Sequence, residues 1–482
     1  MTPTAANGGV PWHARVGFGF TAVIESTKFQ IYEVFLIFYY AQVLGLAGSL
    51  AGLAIAISIF ADAVLDPLIG SYSDSFRGRF GRRHTLMYFA LLPVGICVFL
   101  LFSAPAGLGQ LGLFAWLLIL SLLVRLVGSI YAVPAAAIAA EITADAELRA
   151  ELGIWRQAVV AGVNLVITWA IFNFAFLPTP QFQRGQENPD NYPRFALLVA
   201  AIIVVCALIG ALTTQRAVQR SEAELDAVKP RVFGIAESLR SAWRALTDLR
   251  NFRAMFLGLL FAGVMGSYFR SLNLHLGTYF WELSTRQTGA WLMAVQIATF
   301  VAAFATRFAI KRIEPKALYL TGVSLMLGGY VLPPALRLLG LMPANGTEAL
   351  VQALYVANVG VGVGTGLIMV CSAVMFAESA DEYAFEKRES RTGLLLAFLP
   401  LGNKMASSIG KLVAGVVVQW IALPVGKSAS EISASSLLDL GLAAVSLTLV
   451  AGCIALACYS RYHLPRARYA EIAATLRNRP RS

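Results

Sequence analysis

The sequence predicts an all-α membrane protein of twelve transmembrane helices in two six-helix bundles. Three observations carry that prediction. Of 482 residues, 58% are hydrophobic and only 13% charged, with a mean hydropathy of +0.68, whereas a soluble domain carries about 25% charged residues. A helix crossing a bilayer needs roughly 20 mainly apolar residues, and about twelve such stretches alternate here with short polar loops. The longest polar stretch falls between the sixth and seventh of them, which splits the chain into two sets of six. An ordinary soluble enzyme is excluded.

The first apolar run, residues 17–44, is long and contains Glu25, Lys28 and Glu33, so it is read as a retained helix and not as a cleavable signal. The next five runs are 49–73, 85–103, 111–141, 153–178 and 194–213. These define an N-terminal bundle over 1–213. Residues 214–253 form a cytoplasmic linker with eight basic residues, Pro230 and a mild helical pattern at Ile235, Leu239, Trp243 and Leu246. The second bundle covers 254–459, with runs at 254–282, 287–310, 316–338, 349–377, 392–421 and 434–459, and a cytoplasmic tail over 460–482 follows. In the tenth run Gly360, Gly362, Gly364 and Gly366 alternate like a nucleotide loop. No strand precedes them, so they are read as a close helix-packing surface.

Lys and Arg outnumber Asp and Glu by 38 to 27, but where the excess lies matters more than its size. Most basic residues fall in the N-terminal arm, alternate loops and the tail, which by the positive-inside rule places both termini in the cytoplasm. The cluster Arg77, Arg79, Arg82 and Arg83 is thus a topology signal beside anionic lipid, and no nucleic-acid partner is expected. The location expected is the plasma membrane, or the inner membrane in a bacterium, with lipid as a neighbour and the chain a monomer. Cys97, Cys206, Cys371, Cys453 and Cys458 show no CxxC spacing, and the four histidines are scattered, so neither disulfides nor a metal motif is expected. No catalytic constellation stands in an aqueous segment, so no enzyme and no cofactor is expected.

An ionisable side chain at bilayer depth costs about 2.5–3.5 kcal/mol on insertion scales, which makes each one a functional candidate. Asp62 and Asp66 in the second run are four apart and share a helical face. Two carboxylates one turn apart repel unless they share a cation or a proton, which is the chemistry of a coupling-ion site. Lys404 in the eleventh run is a candidate counter-charge. Arg125, with Glu25, Lys28 and Glu33, forms internal ion pairs or contacts substrate, and Arg270 and His275 stay unassigned.

These residues resemble the glycoside-pentoside-hexuronide:cation symporters of the major facilitator superfamily, of which melibiose permease is the familiar member. The resemblance covers nearly the whole chain through four anchors. They are Phe38-Tyr39-Tyr40 to Leu46; Asp62 through Asp66-Pro67 to Gly70, followed by Asp74 and Arg79, Gly81, Arg82 and Arg83; Tyr131 to Pro134 with Glu141, Thr143, Arg149 and Arg156; and Glu378, Asp381, Arg391 and Gly393 with Lys404 beyond. The resemblance implies a major facilitator fold and cation-coupled symport by alternating access. It further implies that Asp62, Asp66 and Ser129 bind the cation, with the two aspartates as metal ligands if that ion is Na⁺. Lys404 would couple the two halves, and Gly70, Asp74, Arg79, Gly81, Arg82, Asp381 and Arg391 would form the gate.

Where melibiose permease has an asparagine between its aspartates this chain has Leu65, which weakens Na⁺ coordination more than proton binding and leaves the coupling ion as Na⁺ or H⁺. Its sugar-binding aspartates fall at Ser26 and Ala132, and its stacking tryptophan at Ala136. Galactosides of the melibiose type are therefore not expected. Ser26, Glu33 and Arg156 become the substrate candidates, for another sugar, a glycoside or a uronide. Lysolipid or another amphiphile is the alternative cargo, and a sensor without transport is a further reading.

Overall fold

The computed structural model describes residues 11–76, 78–143, 145–222, 249–387, 398–425 and 431–477. Among these, every regular element is helical: α1 (Trp12–Phe20), α2 (Val23–Val34), α3 (Gly48–Ser75), α4 (His84–Leu101), α5 (Gln110–Ile142), α6 (Ala146–Ala170), α7 (Asn191–Glu222), α8 (Arg250–His275), α9 (Thr285–Ala309), α10 (Pro315–Leu338), α11 (Glu348–Lys387), α12 (Phe398–Ile421), α13 (Ala434–Ser460) and α14 (Arg466–Arg477). Ten of the described helices, α3 to α11 and α13, are long and apolar enough to cross a membrane. The other two expected runs have helices at their places but a different character. The first is broken into α1 and α2, with a π-helical turn at Phe38–Val43. The eleventh, α12, carries Asn403, Lys404, Ser407, Ser408 and Lys411, which lower its hydropathy.

Large apolar side chains turn outward along these helices, among them Phe60, Leu68, Phe89, Leu92, Val356 and Trp420. In water such a surface is a liability, whereas in lipid it is the expected exterior, because the helices satisfy their own backbone groups. Helix starts follow ordinary capping rules. Asp145 accepts from the Glu147 amide at α6, and Ser284 with Gln287 forms a reciprocal capping box at α9. Pro315 occupies the first turn of α10, where its missing N–H costs nothing.

By contacts the chain divides into two compact units. The first comprises Met1–Tyr32, Ala61–Phe176 and Asp190–Arg231, and the second Glu33–Phe60, Leu177–Pro189 and Val232–Ser482. In the first, α4 packs on α5 and α7, and α1 on α6 and α7. In the second, α9 and α10 both pack on α11, while α8 packs on α12 and α13. The alternating glycines do part of this work. A Cβ on Gly362 would lie 2.5 Å from the Val295 carbonyl oxygen, one on Gly366 would lie 2.7 Å from that of Thr299, and one on Gly364 would strike that of Gly322. Two neighbouring helices therefore approach α11 at backbone distance. The linker core, 223–248, and Arg391 lie outside the described residues.

Candidate functional site

In the first unit α3 buries Asp62 and leaves Asp66 half-buried one turn on, with Pro67 directly after it. That proline deletes one helical hydrogen bond beside the pair. From α5, Ser129 places its hydroxyl 3.0 Å from Asp62 Oδ1 and 2.7 Å from Asp66 Oδ1. The three residues expected to bind the cation therefore converge. Two cations face Asp62 as well: Arg125 Nη1 on α5 lies 3.3 Å from Oδ2, and Lys28 Nζ on α2 lies 3.7 Å from Oδ1. The Arg125 guanidinium also sits 4.4 Å from the Tyr32 ring centre, and Lys28 makes a 2.7 Å pair with Glu25. Asp62 has a side-chain exposure of 1% and Lys28 of 3%, so these two charges are out of water and each depends on its partners, while Glu25 at 44% stays open.

Ser26 and Arg156 lie in the same unit. Ser26 Oγ donates to the Val23 carbonyl at 3.1 Å and approaches Asn164 Oδ1 at 3.4 Å, while Arg156 lies 5.9 Å from the Phe18 ring. Glu33 belongs to the second unit, where its carboxylate is engaged on both oxygens. Oε1 takes Ser407 Oγ at 2.7 Å, Lys411 Nζ at 3.1 Å and Ser267 Oγ at 3.3 Å, and Oε2 takes Arg270 Nε at 3.0 Å. Lys404 is half-buried on α12, two turns before the fully buried Lys411.

The loop after α3 forms a second charge network. Arg83 reaches Asp74 at 2.6 Å, Glu141 at 2.8 Å and Ser73 at 2.8 Å, and Arg82 reaches Glu141 at 2.6 Å. Gly81 turns the chain into the left-handed region at φ +95°, which a side chain disfavours. Gly70 lies in the same helix, and Arg79 is exposed in the loop. In the second unit Asp381 accepts from the Tyr469 hydroxyl at 2.8 Å, tying α11 to α14.

Residues 17–466 match the family described as MFS/sugar transport protein. The chain belongs to that family. It is 22% identical over 417 residues to the isoprimeverose transporter of Lactiplantibacillus pentosus, covering 85% of this chain and 80% of that one. With the inner membrane symporter YicJ of Escherichia coli K12 it shares 22% identity over 230 residues, 48% of this chain and 47% of the relative. Among solved structures, the D-xylose-proton symporter superposes with a TM-score of 0.57 at 14% identity, covering 91% of this chain and 95% of that one. The nucleoside transporter NupG gives 0.59 at 12% identity, over 94% and 99%. These two establish the shared fold. The chain is thus a multi-pass membrane protein of the MFS sugar-transport family, not an enzyme.

Some residues of the Asp62 cluster, the loop network and the Glu33 cluster are not singled out by the sequence. Lys411 is the clearest. It stands seven residues after Lys404, two turns along the same helical face, so the spacing that singles out one lysine contains the other. Glu141 and Arg83 appear there only as parts of a pattern, and the structure makes them the centre of the loop network. Arg125 and Lys28 are legible as costly charges, but their common partner, Asp62, depends on how α2, α3 and α5 pack.

Proposed function

We propose that the chain is a cation-coupled symporter of a sugar, glycoside or uronide that works by alternating access, with Asp62, Asp66 and Ser129 as the cation site. One observation carries the assignment. A buried and a half-buried carboxylate one helical turn apart are bridged by a single hydroxyl inside a member of a sugar-transport family. Such a pair costs most when both groups are ionised and least when a cation is shared. Cation arrival therefore lowers the cost of enclosing the pair with the substrate, which is the energetic link that symport requires.

Lys404 carries the coupling between the halves in this reading, and Gly70, Asp74, Arg79, Gly81, Arg82, Asp381 and Arg391 belong to the gate. Ser26 and Arg156 face the substrate. Glu33 accepts substrate hydroxyls only by exchanging its present donors, of which the serines are the easiest to displace. The names of the relatives favour sugar-like cargo over lysolipid. The distribution of basic loops supports cytoplasmic termini in an inner or plasma membrane, with the chain as a monomer. The test is uptake into vesicles containing the purified protein, with a panel of pentosides, glycosides and uronides and with sodium and pH gradients imposed separately. Concentrative uptake of one class under one gradient supports the reading. Equilibration without accumulation under either gradient refutes it.

A further inference from the structure

Ile297, Val301, Phe304 and Phe308 recur on α9 at helical spacing and are all exposed, while Ala298, Ala302 and Thr306 turn inward. In a bilayer such a stripe is a surface for acyl chains. It ends in charge. The Arg307 guanidinium carbon lies 3.7 Å from the Phe304 ring centre and 4.5 Å from that of Phe308. A guanidinium held against ring faces keeps its in-plane N–H groups available, and their fork matches two oxygens of a phosphate.

Lys311 follows one turn later, where its amide still bonds to the Phe308 carbonyl at 3.3 Å, and Arg312 comes next; both side chains are exposed. Among the described residues, Arg307, Lys311 and Arg312 make no ion pair. The nearest acid along the chain, Glu314, lines a cavity with Glu378 and Tyr462. The carboxyl end of a helix ordinarily repels an anion. Here Arg466, the first residue of α14, donates to the carbonyls of Ile310, Lys311 and Ile313. The negative end of α9 is thereby covered by a cation, and the turn as a whole is positive.

We propose that this turn binds an anionic phospholipid, its phosphate held between Arg307 and Lys311 and an acyl chain lying along the apolar stripe. Arg312 adds a third positive charge, and together they disfavour the ammonium of a zwitterionic headgroup. The ligand class is therefore a lipid whose only headgroup charge is negative. Because Arg466 opens the tail helix, the lipid belongs to the leaflet on the tail's side, the cytoplasmic one in the reading above. It steadies the corner where the tail helix holds the end of α9. The site is separate from the Asp62 cluster and does not depend on what that cluster binds.

The test is native mass spectrometry of the purified full-length protein in detergent, titrated with phosphatidylglycerol or with phosphatidylethanolamine of the same acyl chains. Phosphatidylglycerol is expected to bind about fivefold more tightly, and Arg307→Gln and Lys311→Gln each to weaken it about fivefold, the effect of one basic residue beside an anionic headgroup. Arg286→Gln, which removes an exposed charge from the opposite end of α9, is expected to leave binding unchanged. Glycerol phosphate at the same concentration is expected not to displace the lipid, because it has no chain to lay on the stripe. Equal binding of the two lipids overturns the proposal, and that comparison needs no variant to fold. So does a loss in Arg286→Gln as large as in Arg307→Gln, which marks diffuse attraction, or displacement by glycerol phosphate, which marks a site for a soluble anion. None of these readouts involves transport, so failure here leaves the symport reading standing, and failure of symport leaves the lipid site standing.

Discussion

Glu33 and Lys411 give the sharpest quantitative prediction. Lys411 is fully buried on α12 and sits 3.1 Å from Glu33 Oε1. At an effective dielectric constant of 20, that separation corresponds to an attraction of about 5 kcal/mol. Lys411→Met does not lose all of it, because Glu33 keeps Arg270 at 3.0 Å and Ser407 at 2.7 Å. Removing one partner of a buried pair costs about 3–5 kcal/mol, and the surviving donors place this case at about 3. Glu33→Gln alone leaves Lys411 without its carboxylate and is expected to cost a similar amount. The double variant removes both charges and is expected to be more stable than the sum of the singles predicts, by about 2–3 kcal/mol of coupling. The assay is a double-mutant cycle on unfolding in detergent, read by circular dichroism. A coupling below about 0.5 kcal/mol, the scatter of independent sites, would refute the view of this cluster as a mutually dependent charge group.

Three further predictions concern other parts of the molecule. Gly362→Val is expected to destabilise by about 1–3 kcal/mol, measured as a lowered denaturation midpoint, since its side chain meets the Val295 carbonyl across the α9–α11 contact. Arg83→Gln is expected to loosen the loop after α3, seen as faster proteolysis there, because Asp74, Glu141 and Ser73 lose a shared donor. Glu187 lies in the segment between α6 and α7, outside the membrane-spanning helices. Burial pushes its carboxyl from the usual 4.5 up to about 7, with Arg184 opposing the shift. A raised folded value means the contribution to docking is full below about pH 4.5 and is lost as pH rises through about 7. Protection of residues 177–189 relative to intrinsic amide exchange, which itself quickens with pH, is therefore expected to fall between pH 5.5 and pH 8.5, and Glu187→Gln to abolish that fall.

The sequence shows what bilayer chemistry makes expensive. Asp62 and Asp66 stand out because few carboxylates occupy an apolar run, and their four-residue spacing needs no tertiary knowledge. The ten long helices are legible for the same reason, since hydropathy over about 20 residues is a local property. The break at Thr21 and Ala22 is not, and neither is the π-helical turn at Phe38–Val43. Such turns reflect where an extra residue is accommodated against neighbouring helices, a property of packing and not of hydropathy. Glu33 illustrates the same limit. Its position in the first run makes it visible as a candidate acceptor, but Ser407, Lys411, Ser267 and Arg270 come from helices more than 200 residues away. Their convergence is decided by packing within the second unit. The charged motif after α3 is readable as a pattern, whereas the pivotal place of Arg83 and Glu141 follows from the three-dimensional meeting of the α3–α4 loop with α5.

The central claim is that the carboxylate pair converts an ion gradient into solute accumulation. Its most direct test compares wild type with the Asp62→Asn/Asp66→Asn double variant in vesicles under an imposed gradient, using whichever substrate the uptake panel identifies. The predicted result is concentrative uptake by wild type and, in the variant, loss of accumulation with equilibrative exchange of the same solute retained. A double variant that still concentrates its solute with unchanged ion dependence would contradict the account.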